Sequence, residues 1–461
     1  MVSIESVKES PFEIPVKIIF VPRGKESVLG VAIEGEGDGF TVKDGRIIYA
    51  IAIDGESPDD IRRFAARCIR IAREYRLDSI YIIPPSAEND TYFFLSEGIE
   101  LSAYAFDKYL SNKPFRPKRV YIHSDDPNGV YPYIRKGVHF SEATNFARNL
   151  VNEPPNSIYP ETLRDVAIEL SRDDTLFDIE VLDSEKMKRL GMNAILYVAR
   201  GSVHDPYFVH LSYKPEKTKG KIALVGKAVT FDSGGLNLKT YDGMKTMKMD
   251  MAGSAAILGV MKALSFFKPD VEVHAFFAAV ENMPDGNAYK PGDIVRAYNG
   301  KTIEVLNTDA EGRLTLADVL SFVSKHHSNV DYVVDLATLT GSIMVALGPY
   351  TAGLFTENEH LREAILTNGQ MEGERFWHMP FDKRLGEKMK SKVADLRNTA
   401  EMRWGGAISA AMFLRNFVDF PERWAHIDIA GPAFTVEDVD YNPPGGTGFG
   451  VRTLLRWLLS F

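Results

Sequence analysis

The sequence predicts an α/β protein of two domains, a smaller N-terminal α/β domain and a larger C-terminal α/β domain with a mixed, largely parallel central sheet covered by helices. Three observations predict it. Apolar strand-like runs alternate with amphipathic helical segments, Pro154-Pro155 interrupts the chain after one such helix, and 461 residues with 45% hydrophobic content can bury a large core. The expected boundaries are residues 1–140 for the first domain, 141–156 for a linking helix with its Pro-rich end, and 157–461 for the second.

In the first domain, Val16 to Phe20, Val28 to Ile33 and Ile47 to Ile53 read as strands, and Pro58 to Tyr75 as a helix with a basic face. Ser79 to Ile83 and Arg119 to His123 are further strands, separated by a helical stretch near Tyr92 to Leu110. A helix from about Ser141 to Val151 then runs into Asn152-Glu153-Pro154-Pro155-Asn156, where the prolines end it. Strands are expected beyond it near Lys221, Val271, Thr302, Val330 and Trp424, with the amphipathic segment Val451 to Leu459 packing back on their sheet.

Composition sets limits on function. The single Cys68 cannot form an internal disulfide, and a net charge of −9 argues against general nucleic-acid affinity. Met1 to Lys17 shows no basic-apolar leader and no apolar run has membrane-spanning length, so no membrane partner and a cytoplasmic location are expected. Gly300-Lys301-Thr302 lacks the earlier glycine of a phosphate-binding loop, since Val295 stands there. The ten histidines never form His-Glu-x-x-His; His326-His327 read as a solvated helix end and His426 as a satisfied core histidine.

Two clusters carry the chemistry. Asn307-Thr308-Asp309-Ala310-Glu311-Gly312-Arg313-Leu314 crowds two carboxylates and a guanidinium between a strand, Thr302 to Leu306, and a helix marked by Leu316, Val319, Leu320 and Val323. Ala310 and Gly312 are small enough for close backbone approach to an ion or substrate. Upstream, Lys227 ends a strand, the glycine pair Gly234-Gly235 after Asp232 marks a turn, Lys239 follows, and Asp250 begins a helix whose Ala252, Ala255, Ala256 and Gly259 form a small-residue face. Four carboxylates are enough to bridge two divalent ions about 3.5–4 Å apart. A lysine becomes a ligand only if burial beside cations exposes its neutral amine. Taken singly, Asp309 and Glu311 would be an ordinary helix cap, Lys227 and Lys239 solvated charges, and Met247 and Thr338 to Gly341 core or turn.

Both clusters, in this order and spacing, resemble the signature of the leucyl aminopeptidase family of dinuclear metallopeptidases. Asn307 to Leu314 reads as that family's octapeptide without substitution. Phe231 to Gly235, Glu281 to Pro284 with Gly286 to Tyr289, Asp335 to Gly341 and Gly446 to Gly450 resemble its other blocks, from roughly Asn145 onward. Ala228 departs from a usual glycine, and Met251-Ala252-Gly253 from a more glycine-rich run.

The resemblance implies that Asp232 and Glu311 bridge two ions, Asp309 completing one site and Lys227 with Asp250 the other. The ions would be zinc or manganese, with cobalt or magnesium possible. Lys239 would polarise the scissile carbonyl, and Arg313 would hold a bicarbonate acting as general base toward a metal-bridging hydroxide. Substrates would be peptides with a free N-terminus, their first side chain, apolar such as Leu or Met, entering a pocket of Met247, Thr338, Leu339, Gly341, Ala430 and Ala433. A homohexamer is also implied. Two rivals stand beside this reading: DNA binding through Arg62 to Arg76 and Lys113 to Arg119, and a two-metal phosphatase or esterase.

Overall fold

A computed structural model of the chain describes residues 1–11, 14, 16–22, 38–43, 46–53, 55–172 and 174–461, which fall into two compact units. One comprises Met1–Asn145, Met371–Gly373 and Thr435–Pro444; the other comprises Phe146–Gln370, Glu374–Phe434 and Gly445–Phe461. The expected strand at Val28 to Ile33 lies outside the described residues.

In the first unit, β1 (Ser3–Val7), β2 (Val16–Pro22), β3 (Asp38–Lys43), β4 (Arg46–Ile53), β5 (Ser79–Ile83) and β6 (Arg119–His123) form a sheet in the order β1-β6-β5-β2-β4-β3. Among the described residues its pairings are parallel except β3 with β4. The helix Pro58–Glu74 opens on a capping box between Ser57 and Asp60. Its basic face is not wholly solvated: Arg62 is fully buried, ion-paired to Glu97 and, at 2.6 Å, to Glu372. That removes Arg62 from any nucleic-acid footprint, since a buried charge needs its partners.

Two helices differ from expectation. Asn89–Ala103 stops short of Leu110 because Arg73 and Arg116 donate to the carbonyls of Tyr104 and Ala105, at 3.2 and 2.8 Å, and hold them outside the helix. Pro127–Asn152 begins well before Ser141, since Val130 and Ile134 extend the buried stripe of Phe140, Ala143, Ala147 and Leu150.

The second unit contributes β7 (Phe177–Leu182), β8 (Tyr207–Tyr213), β9 (Gly220–Asp232), β10 (Val271–Asn282), β11 (Ile294–Arg296) and β12 (Thr302–Glu304). It continues with β13 (Tyr332–Ala337), β14 (Thr351–Thr356), β15 (Arg375–His378), β16 (Leu396–Arg397) and β17 (Trp424–Asp428). The main sheet runs β15-β14-β17-β13-β9-β10-β8-β7. Its centre, β17-β13-β9-β10, is parallel, and antiparallel pairs flank it. The Thr302 strand is not part of this sheet, because β12 pairs with β11 and β16 in a separate small one. The C-terminal helix Val451–Leu458 buries Val451, Leu454, Leu455 and Leu458.

An irregularity in the central pair shapes the site. β9 and β10 keep register up to Val280 opposite Val229, and then Asn282 stands opposite Asp232. β9 has therefore advanced by three residues against two on β10, a β-bulge with one extra residue. Side chains alternate faces along a strand, so Lys227 and Asp232, an odd number of positions apart, would point to opposite faces without it.

Close packing does the rest. A Cβ added at Gly226 would stand 2.6 Å from the backbone of Ser254, and one added at Gly253 would stand 2.1 Å from the carbonyl oxygen of Leu336. The helix Ala252–Phe267 thus touches β9 and β13 backbone to backbone, which fixes Asp250, just before that helix, beside Lys227 on β9. Gly253→Ala is expected to force these elements apart and destabilise the protein by about 1–3 kcal/mol. A chemical-denaturation midpoint unchanged from the parent would show that the contact is not tight.

Candidate functional site

Four adjacent parallel strands end at one edge of the main sheet. Asp428 closes β17, Thr338 follows β13, Asp232 closes β9 and Asn282 closes β10. Ligands of open α/β sheets bind at this carboxyl edge. Asp250 reaches it at the end of the short turn Met247–Met249, and Glu311 is the residue that caps the helix Gly312–His326. The Glu311 side chain makes no capping hydrogen bond, so its position is not explained by helix termination.

Two lysines bridge the four carboxylates. Lys227 Nζ lies 2.7 Å from Asp250 Oδ1, 2.8 Å from Glu311 Oε1 and 3.0 Å from the carbonyl oxygen of Thr338. Lys239 Nζ lies 2.8 Å from Asp232 Oδ2 and 2.6 Å from Asp309 Oδ1. The chain returns to place Lys239 through Gly234, whose φ of 86° and whose lack of a Cβ, which would meet the Asn237 carbonyl at 2.4 Å, both demand glycine. Gly312 is required in the same way, since a Cβ there would overlap Lys227 Cε at 2.4 Å.

The electrostatics follow from burial. Four carboxylates face only two ammonium groups, and Lys227, Asp232, Asp250 and Glu311 are almost wholly shielded from water. Burial, reinforced for Asp232 by Glu311, pushes Asp232 up to about 6 and raises Asp250 and Asp309 above the usual carboxylate range. For Glu311 burial acts the same way, but Lys227 and Lys239 outweigh it and hold it down at about 2. Burial also opposes both ammonium groups. Asp250 and Glu311 nevertheless keep Lys227 above the usual lysine range, and Asp232 and Glu311 do so for Lys239.

The donor set fits divalent cations. Glu311 Oε2 is buried without a hydrogen-bond partner, and one oxygen from each of Asp232, Asp309 and Glu311 lies within 4.8 Å of the other two. Closely spaced carboxylate oxygens in excess over local cations are what hard or borderline divalent ions neutralise.

Uncharged groups hold this arrangement. Asn282 Nδ2 donates to Asp232 Oδ1 at 2.8 Å and to the Thr308 carbonyl at 3.0 Å, and Tyr289 Oη donates to that carbonyl at 2.7 Å. Thr308 Oγ1 donates to the Gly234 carbonyl, while Asn237 Oδ1 accepts from Thr308 N at 2.8 Å. Asn398 Oδ1 accepts from Leu306 N at 2.8 Å, and its Nδ2 donates to the Asn307 carbonyl at 2.6 Å. These bonds, rather than a main-sheet strand, bring Asn307 to Leu314 to the sheet edge. Arg313 Nη1 donates to the Asn398 carbonyl at 2.7 Å, its Nε is buried without a partner, and burial lowers its pKa to about 10.

The expected pocket residues are joined to the cluster in part. Thr338 Oγ1 donates to Asp250 Oδ1 at 2.8 Å. Asp428 Oδ1 accepts from Leu339 N at 3.1 Å and Ala430 N at 3.2 Å, drawing the ends of β13 and β17 together. The Met247 carbonyl accepts from Asp250 N at 3.4 Å. Gly341 opens an exposed helix and Ala433 is buried; among the described residues neither hydrogen-bonds to the four carboxylates.

Sequence reading missed Asn398, Asn237 and Asp428. Asn237 sits between Gly235 and Lys239, so its neighbours were a signal, whereas Asn398 and Asp428 stand in no motif and are marked only by burial. His426 is a core histidine as expected, with Nδ1 2.6 Å from Asp335 Oδ1, but it is satisfied only in part, since its buried Nε2 has no hydrogen-bond partner among the described residues. His327 is not a solvated helix end, for it is half-buried against His210, His274 and Phe276.

Residues 145–455 match the cytosol aminopeptidase family, catalytic domain. The chain is 49% identical over 410 residues to a probable cytosol aminopeptidase of Aquifex aeolicus, covering 87% of this chain and 82% of that protein. It is 44% identical over 430 residues to one of Persephonella marina, covering 90% and 86%. A point mutant of tomato leucine aminopeptidase superposes with a TM-score of 0.89 at 32% identity, covering 100% of this chain and 97% of that one. The bottromycin maturation enzyme BotP in complex with Mn superposes at 0.87 with 32% identity, covering 97% and 99%. The match spans the carboxylate edge of the sheet and most of the chain besides, and this protein therefore belongs to the cytosol, or leucyl, aminopeptidase family of peptide-bond hydrolases.

Proposed function

We propose that this aminopeptidase releases N-terminal amino acids, preferentially apolar ones such as leucine or methionine, from short peptides by metal-assisted attack of water. The observation that carries the reading is the buried excess of carboxylates at the sheet edge, with Glu311 Oε2 unpartnered among them. Two divalent ions, zinc or manganese, with cobalt or magnesium also suited to such ligands, would be held by Lys227, Asp232, Asp250, Asp309 and Glu311. When bound, they supply Lewis acidity, lowering the pKa of water toward neutrality and polarising the substrate carbonyl.

The chain's own residues complete the chemistry. Lys227 must lose a proton to act as a ligand, an exchange that couples metal affinity to pH. Lys239, kept cationic by Asp232 and Glu311, would sit against the carbonyl oxygen and stabilise the charge developing there. Arg313, with its free Nε, would hold a bicarbonate that accepts the proton of the attacking water. Asp250 would hold the substrate's α-amine, which explains a requirement for a free N-terminus. Met247, Thr338, Leu339, Gly341, Ala430 and Ala433 are mostly apolar or small and would admit an aliphatic side chain with broad tolerance, because one methylene changes binding by only about 1–3 kcal/mol. A homohexamer, which the sequence resemblance implies, and a cytoplasmic location, in keeping with the relatives' description as cytosol aminopeptidases, belong to the same reading.

Stripping the protein with a chelator, restoring zinc or manganese separately, and comparing leucine anilide with its N-acetylated form tests this directly. Metal-dependent cleavage of the free-amine substrate alone is expected; equal or no cleavage of both would refute the mechanism. Lys239→Ala should retain metal yet lose about 100- to 1,000-fold in kcat, the scale of one lost oxyanion donor. Asp232→Ala should lose both metal and turnover, so near-normal activity in either variant would remove that residue from the mechanism. Asn282→Ala, which frees Asp232 to rotate, is expected to weaken metal affinity by about 10- to 100-fold, read by competition with a chromophoric chelator.

A further inference from the structure

Three histidines that the aminopeptidase reading leaves unused converge at the opposite end of the helix Gly312–His326. His210 on β8 and His274 on β10 lie on neighbouring antiparallel strands, where His210 faces Phe276 and His274 faces Ser212, so the two are diagonal neighbours on one face. His327 follows the helix directly. Their ring centroids form a nearly equilateral triangle, 5.1, 4.8 and 4.9 Å on a side. One nitrogen from each ring lies within 4.8 Å of the other two, and His210 Nε2 is 2.9 Å from His274 Nδ1.

We propose that His210, His274 and His327 form an additional metal site that takes zinc or another imidazole-seeking ion of that class. Zinc held at about 2.0–2.1 Å from tetrahedral ligands sets their nitrogens roughly 3.3 Å apart, so the triangle needs ring adjustments of roughly an ångström and no change of fold. The surroundings of His274 match those of a ligating histidine. Its Nε2 lies 2.9 Å from Glu272 Oε1, and Glu272 is held in turn by Lys221 at 3.0 Å. A proton on Nε2 directed at a carboxylate leaves the Nδ1 lone pair facing the His210 ring, and the carboxylate is the outer support that fixes ligand orientation around zinc. His327 makes no hydrogen bond through its ring among the described residues, and Phe276, stacked on His210 at 4.2 Å, gives the triangle an apolar wall. Burial and the neighbouring histidines hold His210 down at about 3 and His327 at about 4, so their lone pairs are available at neutral pH.

The two sites differ in chemistry and are well separated. Three imidazoles favour zinc, copper or nickel over manganese and magnesium, whereas the carboxylate cluster admits all of the divalent ions considered above. The 15-residue helix between them puts about 22 Å between its ends, too far for a shared ion. His210 and His327 are only half-buried, which leaves a route for entry and a coordination position open to water. Bound there, zinc would clip β8 and β10 to the end of the helix whose beginning presents Glu311.

The test is zinc stoichiometry. Wild-type protein and His327→Ala are stripped with a chelator, loaded with zinc, freed of unbound metal by gel filtration and analysed for zinc per chain. The wild type is expected to retain one zinc per chain more than His327→Ala, whose peptidase activity stays near normal, and crystals soaked in zinc should show an anomalous peak inside the ring triangle. His274→Gln serves as a second variant should His327→Ala fold poorly. Asp232→Ala should keep the histidine-bound zinc while losing metal from the carboxylate cluster, so the result stands whether or not the peptidase mechanism holds. Equal zinc content in wild type and both histidine variants, or no anomalous peak in the triangle, overturns the proposal.

Discussion

The constraint on which the second unit depends is an uncompensated buried charge. Asp232, Asp250, Asp309 and Glu311 face Lys227 and Lys239 in a space from which water is largely excluded. Charges in low dielectric are stable only when each has a partner in good geometry, because the cost of desolvation otherwise exceeds the attraction. Pairing is nearly complete, but it ends at Glu311 Oε2, which has no hydrogen-bond partner. A site with more carboxylates than cations, in which burial raises both Asp232 and Asp250 above the usual carboxylate range, is poised to take up positive charge from outside.

Such a cluster persists only if its supports cannot relax, and the supports here are of two physical kinds. Backbone contacts at Gly226 and Gly253 set the distance between strand and helix, and hence between Lys227 and Asp250. Amide and hydroxyl groups set orientation. Asn282 joins Asp232 to the Thr308 carbonyl, Thr308 and Asn237 tie the glycine turn to the octapeptide, and Asn398 ties that octapeptide to the segment carrying Arg397. None of these groups carries charge, so they orient the carboxylates without adding to the repulsion among them.

The helix Gly312–His326 links two polar clusters of contrasting chemistry. Its first residues lie against carboxylates and lysines, where hard ions are at home, and its end meets imidazoles packed on phenylalanine rings. Between them the helix buries Leu314, Leu316, Val319, Leu320 and Val323, so both ends are anchored through one apolar core. A shift of this helix would be felt at Glu311 and at His327 together, because packed interiors transmit displacement rather than absorb it.

The sequence by itself determined much of this protein. Alternating strand and helix periods predicted the α/β class, β5 and β6 fell where their apolar runs lie, and the octapeptide with the Lys227 to Asp250 stretch picked out the residues that converge at the sheet edge. These are local signals, carried by residues within a few positions of one another. What needed the tertiary structure depends on relations between distant segments. The bulge in β9 that turns Lys227 and Asp232 toward one side exists only in register against β10. The transfer of the Thr302 strand to a separate sheet depends on its pairing with Leu396 and Arg397, and the roles of Asn398 and Asp428 depend on the backbone groups they meet. His210, His274 and His327 come from three separate elements and share no motif, so only the folded chain could bring them together. Spacing along a chain encodes which residues share a turn or a face, whereas partners far apart in sequence are chosen by register and packing, which no local pattern records.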